Sequence, residues 1–228
     1  TALRMCGRFN IARTPGLATL VESLGLAVTL PAARYNIAPT EPVPLLRREG
    51  SGEARWWLTP SWASAVDQRY AMFNARCETL ASSRAFRGPF RRQRGIVPMS
   101  SFLEWRREGE GKVPWLITNA DEALAVAALW DVWERGDAPL LSCTLVTTAA
   151  APAFRDWHRR MPVLLSREEA LRWLDNGSPV AAADPLFAPE LKFPLHLAPL
   201  ARAVGNASRK DPSLMAPAGP WTTLDSDH

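Results

Sequence analysis

Ala123-Leu124-Ala125-Val126-Ala127-Ala128-Leu129-Trp130-Asp131-Val132-Trp133 and Leu140-Leu141-Ser142-Cys143-Thr144-Leu145-Val146-Thr147-Thr148 are apolar runs bounded by turn residues. They predict two buried β-strands. Upstream, Ile96 to Trp105 suits a strand, joined by a charged turn, Arg106 to Lys112, to another at Pro114 to Thr118. Val43 to Arg47 and Arg55 to Leu58 read as strands around a turn at Glu49 to Gly52, with Pro60 ending the second. Downstream, Phe193 to Leu197 is a last short strand.

Helical signals are fewer. Thr14-Pro15 is an N-cap followed by a first-turn proline; Leu17, Leu20, Val21 and Leu24 supply an apolar stripe, and Gly25 stops it. A second helical pattern follows Phe73-Asn74-Ala75-Arg76 and runs to about Phe86. Ser166 with Glu169 is a capping box for a helix ending at Gly177. Tyr35 to Thr40 reads as irregular and turn-rich, and Arg87 to Arg94 as a basic loop, either solvated or touching a polyanion. Residues 207–228 hold Pro212, Pro217 and Pro220 and read as a loosely packed tail. Strands and helices do not alternate regularly. The fold class expected is therefore α+β, a single domain with a curved, mostly antiparallel sheet and peripheral helices.

Composition narrows the setting. A chain of 228 residues is long enough for a full core. No run of about 18 apolar residues is present, so no membrane span is expected, and no secretory leader is visible. Cys6, Cys77 and Cys143 are far apart, odd in number and match no zinc spacing, so neither a metal nor a disulfide framework is expected. A reduced, cytoplasmic location fits. The net charge is +4, and only Lys112, Lys192 and Lys210 are lysines. Arginine binds phosphate bidentately and stacks on flat rings, which suits nucleic acid; a GC-rich genome gives the same excess. Most of the ten tryptophans belong to the core, and exposed ones would offer base-stacking platforms.

Met5-Cys6-Gly7-Arg8-Phe9 carries the most distinctive chemistry. With residues 1–5 removed, Cys6 becomes terminal and holds an α-amine and a thiol on one residue. The amine condenses with an aldehyde to a Schiff base, and the thiol then closes a thiazolidine ring. With an α-amine pKa of about 7.7–8.0, a useful fraction is neutral near pH 7. An internal cysteine lacks this chemistry and reads as a small buried hydrophobe.

Four further segments accompany it: Arg55-Trp56-Trp57-Leu58-Thr59-Pro60-Ser61-Trp62-Ala63, Phe73-Asn74-Ala75-Arg76-Cys77-Glu78, Ser101-Phe102-Leu103-Glu104-Trp105 and Trp157-His158-Arg159-Arg160-Met161-Pro162. With Tyr35-Asn36-Ile37-Ala38-Pro39-Thr40, their order resembles the SRAP (SOS response-associated peptidase) domain family from Cys6 to about Met215. The resemblance implies a barrel-like core over residues 6–215, an extension at 1–5 that is absent from the working protein, and a tail at 216–228. It implies covalent trapping of abasic sites in single-stranded DNA by a monomer without a cofactor, bound to the nucleoid when engaged. Cys6 would form the thiazolidine, by lyase-like Schiff-base chemistry.

The other roles follow the same resemblance. Glu104, among Phe102, Leu103 and Trp105, would shuttle protons with a raised pKa; the alternative is a salt-bridged structural glutamate. His158 would help open the sugar ring, or simply touch phosphate. Asn74 would position the sugar or aldehyde oxygen, or cap a turn. Arg8, Arg76 and Arg160 match phosphate-binding arginines, and Pro39 lies in a segment lining the cleft. Trp62 joins the DNA-binding set, although for Trp62 and Trp105 alike a core position is the favoured reading. Arg159 stands where an acidic residue is common. Two other readings stay open. Cys6, Glu104 and His158 suit a cysteine peptidase cleaving before Cys6, and the arginines and aromatics suit a non-covalent single-stranded DNA module.

Overall fold

The computed structural model describes residues 7–26, 29–120 and 122–227. The chain runs β1 (Phe9–Ile11), α1 (Pro15–Ser23), β2 (Arg34–Ile37), β3 (Pro42–Arg47), β4 (Gly50–Trp56) and β5 (Asn74–Arg76). It continues through α2 (Arg87–Arg92), β6 (Arg94–Met99), β7 (Ser101–Glu108), β8 (Gly111–Thr118), β9 (Leu124–Trp133) and β10 (Leu140–Ala149). It closes with β11 (Arg160–Pro162), β12 (Leu164–Leu165), α3 (Arg167–Leu174), β13 (Leu195–Pro199) and β14 (Thr222–Leu224). The α+β expectation holds, with strands dominant.

Strands β10, β4, β3, β6 and β9 are neighbours in that order, and β9 pairs back onto β10, so five strands close a barrel. The closing ladder runs antiparallel from Leu140↔Trp133 to Leu145↔Ala128. Only β4 meets β10 in parallel within the ring. A second sheet, β14-β13-β8-β7-β1-β2, packs on it. Alternation explains the continuous apolar run of β9. Leu124, Val126 and Ala128 join the cluster shared with the second sheet, including Phe9, Phe102 and Ile117. Ala125, Ala127 and Leu129 face the helices, with Val21, Phe90 and Trp173. A strand buried on both faces loses its polar alternation. At Gly95 a Cβ would stand 2.9 Å from Leu45 Cδ1 and from Leu46 O, so β3 and β6 approach this closely only with glycine there.

Local signals decide the helix ends. Thr14 accepts from Leu17 N at 3.3 Å, and Gly25 follows α1 at φ +63°. Ser166 Oγ accepts from Glu169 N at 3.2 Å while Glu169 Oε2 accepts from Ser166 N at 2.9 Å, completing the capping box. Helix α3 stops at Leu174, before Gly177.

Several expectations are corrected. No helix spans 77–86: a single 3-10 turn, Cys77–Thr79, is followed by turns up to α2. There Thr79 Oγ1 donates to Arg76 O and Ser82 Oγ to Thr79 O, and such hydroxyls compete with helical bonding. The span Ile96 to Trp105 is two strands in different sheets, divided at Ser100, whose Oγ takes Ala12 N–H at 2.9 Å and whose N–H donates to Asn10 O. The charged turn is shorter than expected, because β7 extends to Glu108. The last segment is packed: β14 pairs with β13, and Asp227 N–H donates to Leu191 O at 2.9 Å. In addition, Tyr35 to Ile37 belongs to β2, although Asn36 (φ +52°) and Thr40 (φ +81°) give the segment its irregular turns.

The supposed basic loop is helix α2 plus the first residue of β6, and Arg94 is fully buried. Its guanidinium donates to Trp173 O at 2.8 Å, Phe90 O at 3.1 Å, Arg91 O at 3.3 Å and Ser178 O at 2.8 Å, and also to Asp175 O. It gathers the carbonyl ends of α2 and α3 against Trp173, whose ring it overlies at 5.5 Å. Replacing it by Met keeps volume but leaves several buried carbonyls unpaired. Arg94→Met should lower unfolding free energy by at least about 3 kcal/mol in urea denaturation; a loss under about 1 kcal/mol would mean that water replaces the guanidinium.

Candidate functional site

Strand β1 sets the frame of the site. Phe9 pairs with Phe102 and Asn10 with Ser101, and Leu103 N–H donates to Arg8 O at 2.9 Å. Carried on at this register, Gly7 falls opposite Glu104. Cys6, the residue next in sequence, lies outside the described residues. No described atom stands within 4 Å of a Cβ placed on Gly7, so the backbone there borders open space. Glu104 is 3% exposed and shares its face of β7 with Phe102. Its cross-strand partner on β8 is Trp115.

Trp115 meets Trp157 edge-on at 5.6 Å, Trp157 stacks on Phe154 at 6.3 Å, and Phe154 packs on Phe102 at 6.1 Å. This aromatic floor continues through Phe9 to Trp56 at 5.0 Å and on to Phe73 at 5.9 Å. Phe73 precedes Asn74, and Trp157 precedes His158. Glu104, Asn74 and His158 are thus rooted in one hydrophobic cluster from three separate elements.

The half-buried His158 accepts the Arg160 N–H at Nδ1, 3.0 Å away, so its neutral ring carries the proton on Nε2. Burial lowers its pKa most. Protonated Nδ1 facing Arg160 O at 3.2 Å works the other way, and the charges of Arg160, Lys112 and Arg159 lower it further. The imidazole is therefore neutral at pH 7. Asn74 is half-buried at the start of β5, opposite Leu145 of β10. Arg76, at the end of β5, is exposed opposite Thr147.

Arg160 and Arg8 are engaged within the protein. Arg160 makes a fork with Glu78, at 2.8 Å to Oε1 and 2.9 Å to Oε2, and donates to Thr147 O at 2.8 Å. That hydrogen bond holds the Glu78 carboxyl below the usual range. Arg8 donates to Asn36 Oδ1 at 2.9 Å, Val204 O at 3.2 Å and Gly205 O at 3.3 Å, and lies 5.8 Å over Trp105. Pro39 is half-buried in the turn between β2 and β3. Trp62 is not a core residue: it is 44% exposed, with the Arg84 guanidinium 4.1 Å over its ring. It borders a groove of about 420 Å³ with Leu58, Pro60, Tyr70 and Met72. Trp105 is half-buried against the Leu103, Leu116, Leu200 and Val204 cluster. Cys77 and Cys143 are buried thiols pushed up by that burial, so neither is a thiolate near neutral pH.

Sequence reading missed two contributors. Asn36 is fully buried and donates from Nδ2 to Val204 O, Asn206 O and Arg209 O at 2.9–3.0 Å. An asparagine, a residue type that tolerates positive φ, within a segment read as turn-rich was the available signal. Arg106, assigned to a turn, overlies Trp157 at 4.9 Å and Trp115 at 5.6 Å. Period-two alternation from Glu104 would have placed it on that face.

A closed five-strand barrel with a second sheet laid over it, in which β1 pairs with the strand that carries the buried Glu104, defines the class of protein. The same architecture occurs in a Bacteroides thetaiotaomicron protein, with a TM-score of 0.77 over 93% of this chain and 100% of that one at 21% identity. A Bordetella bronchiseptica protein gives 0.73 over 86% and 100% at 23% identity. The chain belongs to the SOS response associated peptidase (SRAP) family, whose model matches residues 5–207. It is 35% identical over 182 residues to the abasic site processing protein YoqW of Bacillus subtilis, covering 75% of this chain and 80% of that one. It is 33% identical over 230 residues to the abasic site processing protein YedK of Escherichia coli, covering 93% and 100%.

The depressed His158 pKa has a definite sign. The unfolded chain binds this proton more readily, so stability falls as pH drops from about 6.5 through the folded pKa. NMR titration should place the His158 midpoint below 6.5, and His158→Gln should flatten the stability slope in that window. A midpoint above 6.5 would mean that the Arg160 carbonyl outweighs burial.

Proposed function

We propose that this protein processes abasic sites, and does so by covalent capture of the lesion in single-stranded DNA through Cys6 as the N-terminal residue. The observation that supports this best is the β1–β7 register, which, carried on before β1, sets Gly7 opposite the buried Glu104. In the ring-opened sugar, the neutral α-amine of Cys6 adds to the aldehyde carbon. Glu104 delivers a proton to the departing hydroxyl, water leaves, and an imine forms. The thiol sulfur adds to the imine carbon while its proton passes to nitrogen, closing the thiazolidine. One water is released overall, with no change of oxidation state. The masked aldehyde no longer promotes β-elimination, so the strand stays intact.

The neutral His158 carries a proton on Nε2 for the sugar ring oxygen, and Asn74 supplies an amide to hold the open sugar. This chemistry requires a free α-amine, hence loss of residues 1–5. Protein started at Met5, with Cys6 confirmed as terminal by intact mass, should give a denaturation-resistant adduct with an oligonucleotide carrying one abasic site. Protein retaining residues 1–5 should not, unless its mass shows that it trims itself. Cys6→Ala should abolish the adduct, and Glu104→Gln should slow its formation by about 10²-fold. An adduct that survives Cys6→Ala would sink the proposal.

A further inference from the structure

DNA needs cations at its backbone, and two of the arginines assigned to that task from sequence direct their donors inward. Arg160 is ion-paired with Glu78, and Arg8 faces Asn36 and two main-chain carbonyls. Arg106 differs from both. Its guanidinium lies over the faces of Trp157 and Trp115, and these two rings meet edge-on. These two ring contacts hold the guanidinium in place without an anionic partner, and its N–H groups remain available to an oxyanion. Two acids share its strand face, Glu104 and Glu108, and Glu108 accepts from Trp115 Nε1 at 2.8 Å.

Arg159 is the second such cation. Its carbonyl accepts from Ala150 N–H at 3.0 Å, which fixes the backbone, while the residue is exposed. Among the described residues neither Arg106 nor Arg159 enters an ion pair. The two flank His158: Arg106 is held on the ring of the preceding residue, and Arg159 is the following one.

We infer that Arg106 and Arg159 bind the phosphodiester backbone of single-stranded DNA on either side of His158, through guanidinium groups that no carboxylate of the described residues pairs. This rests on the function proposed above and names the residues that hold its substrate.

The test is the salt dependence of binding to a labelled, undamaged oligothymidine, read by fluorescence anisotropy. On single strands each phosphate contact contributes about 0.7 to the slope of log affinity against log salt. Arg106→Gln and Arg159→Gln should each weaken binding and reduce the slope by about 0.7. Arg167→Gln removes the same charge from α3 and should change neither. Arg106→Lys keeps the charge and should keep the slope, which separates lost phosphate contact from damaged folding. Arg106→Gln and Arg159→Gln proteins with the wild-type slope would overturn this inference while leaving the adduct assay positive. A wild-type protein that neither binds the strand nor forms the adduct would overturn both readings.

Discussion

The pairing of β10 holds the molecule together. Its first half, Leu140 to Leu145, closes the barrel against β9, and Ser142 and Cys143 meet β4 on the other edge. Its second half leaves those partners and takes β5 at Leu145 to Thr147 and β11 at Thr147 to Ala149. One continuous strand thereby carries the barrel at one end and the site at the other. Asn74, Arg76 and Arg160 are all in register with it. A one-residue slip would reverse every side chain on β10, and the double burial of that strand makes such a slip costly. Rigid placement of the site follows from the same hydrogen bonds that close the barrel.

Where regular pairing ends, polar side chains take over. Asn36 and Arg94 are fully buried, and each serves main-chain carbonyls that no ladder reaches. Asparagine suits its place on two counts: it tolerates φ +52°, and its amide donates outward while its carbonyl accepts from Arg8. The result ties the start of β1 to the segment around Val204 to Arg209. The placing of β1 therefore depends on residues about 170 positions beyond Asn36, as the separations of its hydrogen bonds show. Two fully buried polar hubs of this kind are tolerable because their donors are matched by acceptors; a half-satisfied hub would be worse than an apolar one.

The core strands were legible in the sequence for a physical reason: β9 and β10 are buried on both faces, and an unbroken apolar run is what that requires. Caps were legible because they are local, as at Thr14 and Ser166. The break at Ser100 was not, since a strand that changes sheets keeps its β-propensity on both sides of the change. The helical period through residues 77–86 misled because hydroxyls at Thr79 and Ser82 turn the backbone aside. The prolines near the end misled because they sit in connections before β14 and leave its three residues free to pair. In the site, Glu104, His158 and Asn74 stood out as motif residues. The partners of the arginines did not, because Glu78 is 82 positions from Arg160 and Val204 is 196 from Arg8.

That distribution of arginine partners shapes the field at His158. A carboxylate is paired with Arg160, whose charge is nevertheless felt at His158, whereas carbonyl dipoles fix Arg8 and Arg94 without cancelling theirs. Near the imidazole, Lys112 and Arg159 add to burial in disfavouring a second proton. On the proposed function, the same cations would draw the DNA backbone to the place where they oppose protonation. A phosphodiester brought among them offsets their charge and removes part of that opposition, since a nearby anion favours the imidazolium. On the proposed function, a strand bound here would relax the electrostatics that keep His158 neutral in the free protein, and proton transfer at this position would be coupled to occupancy of the site.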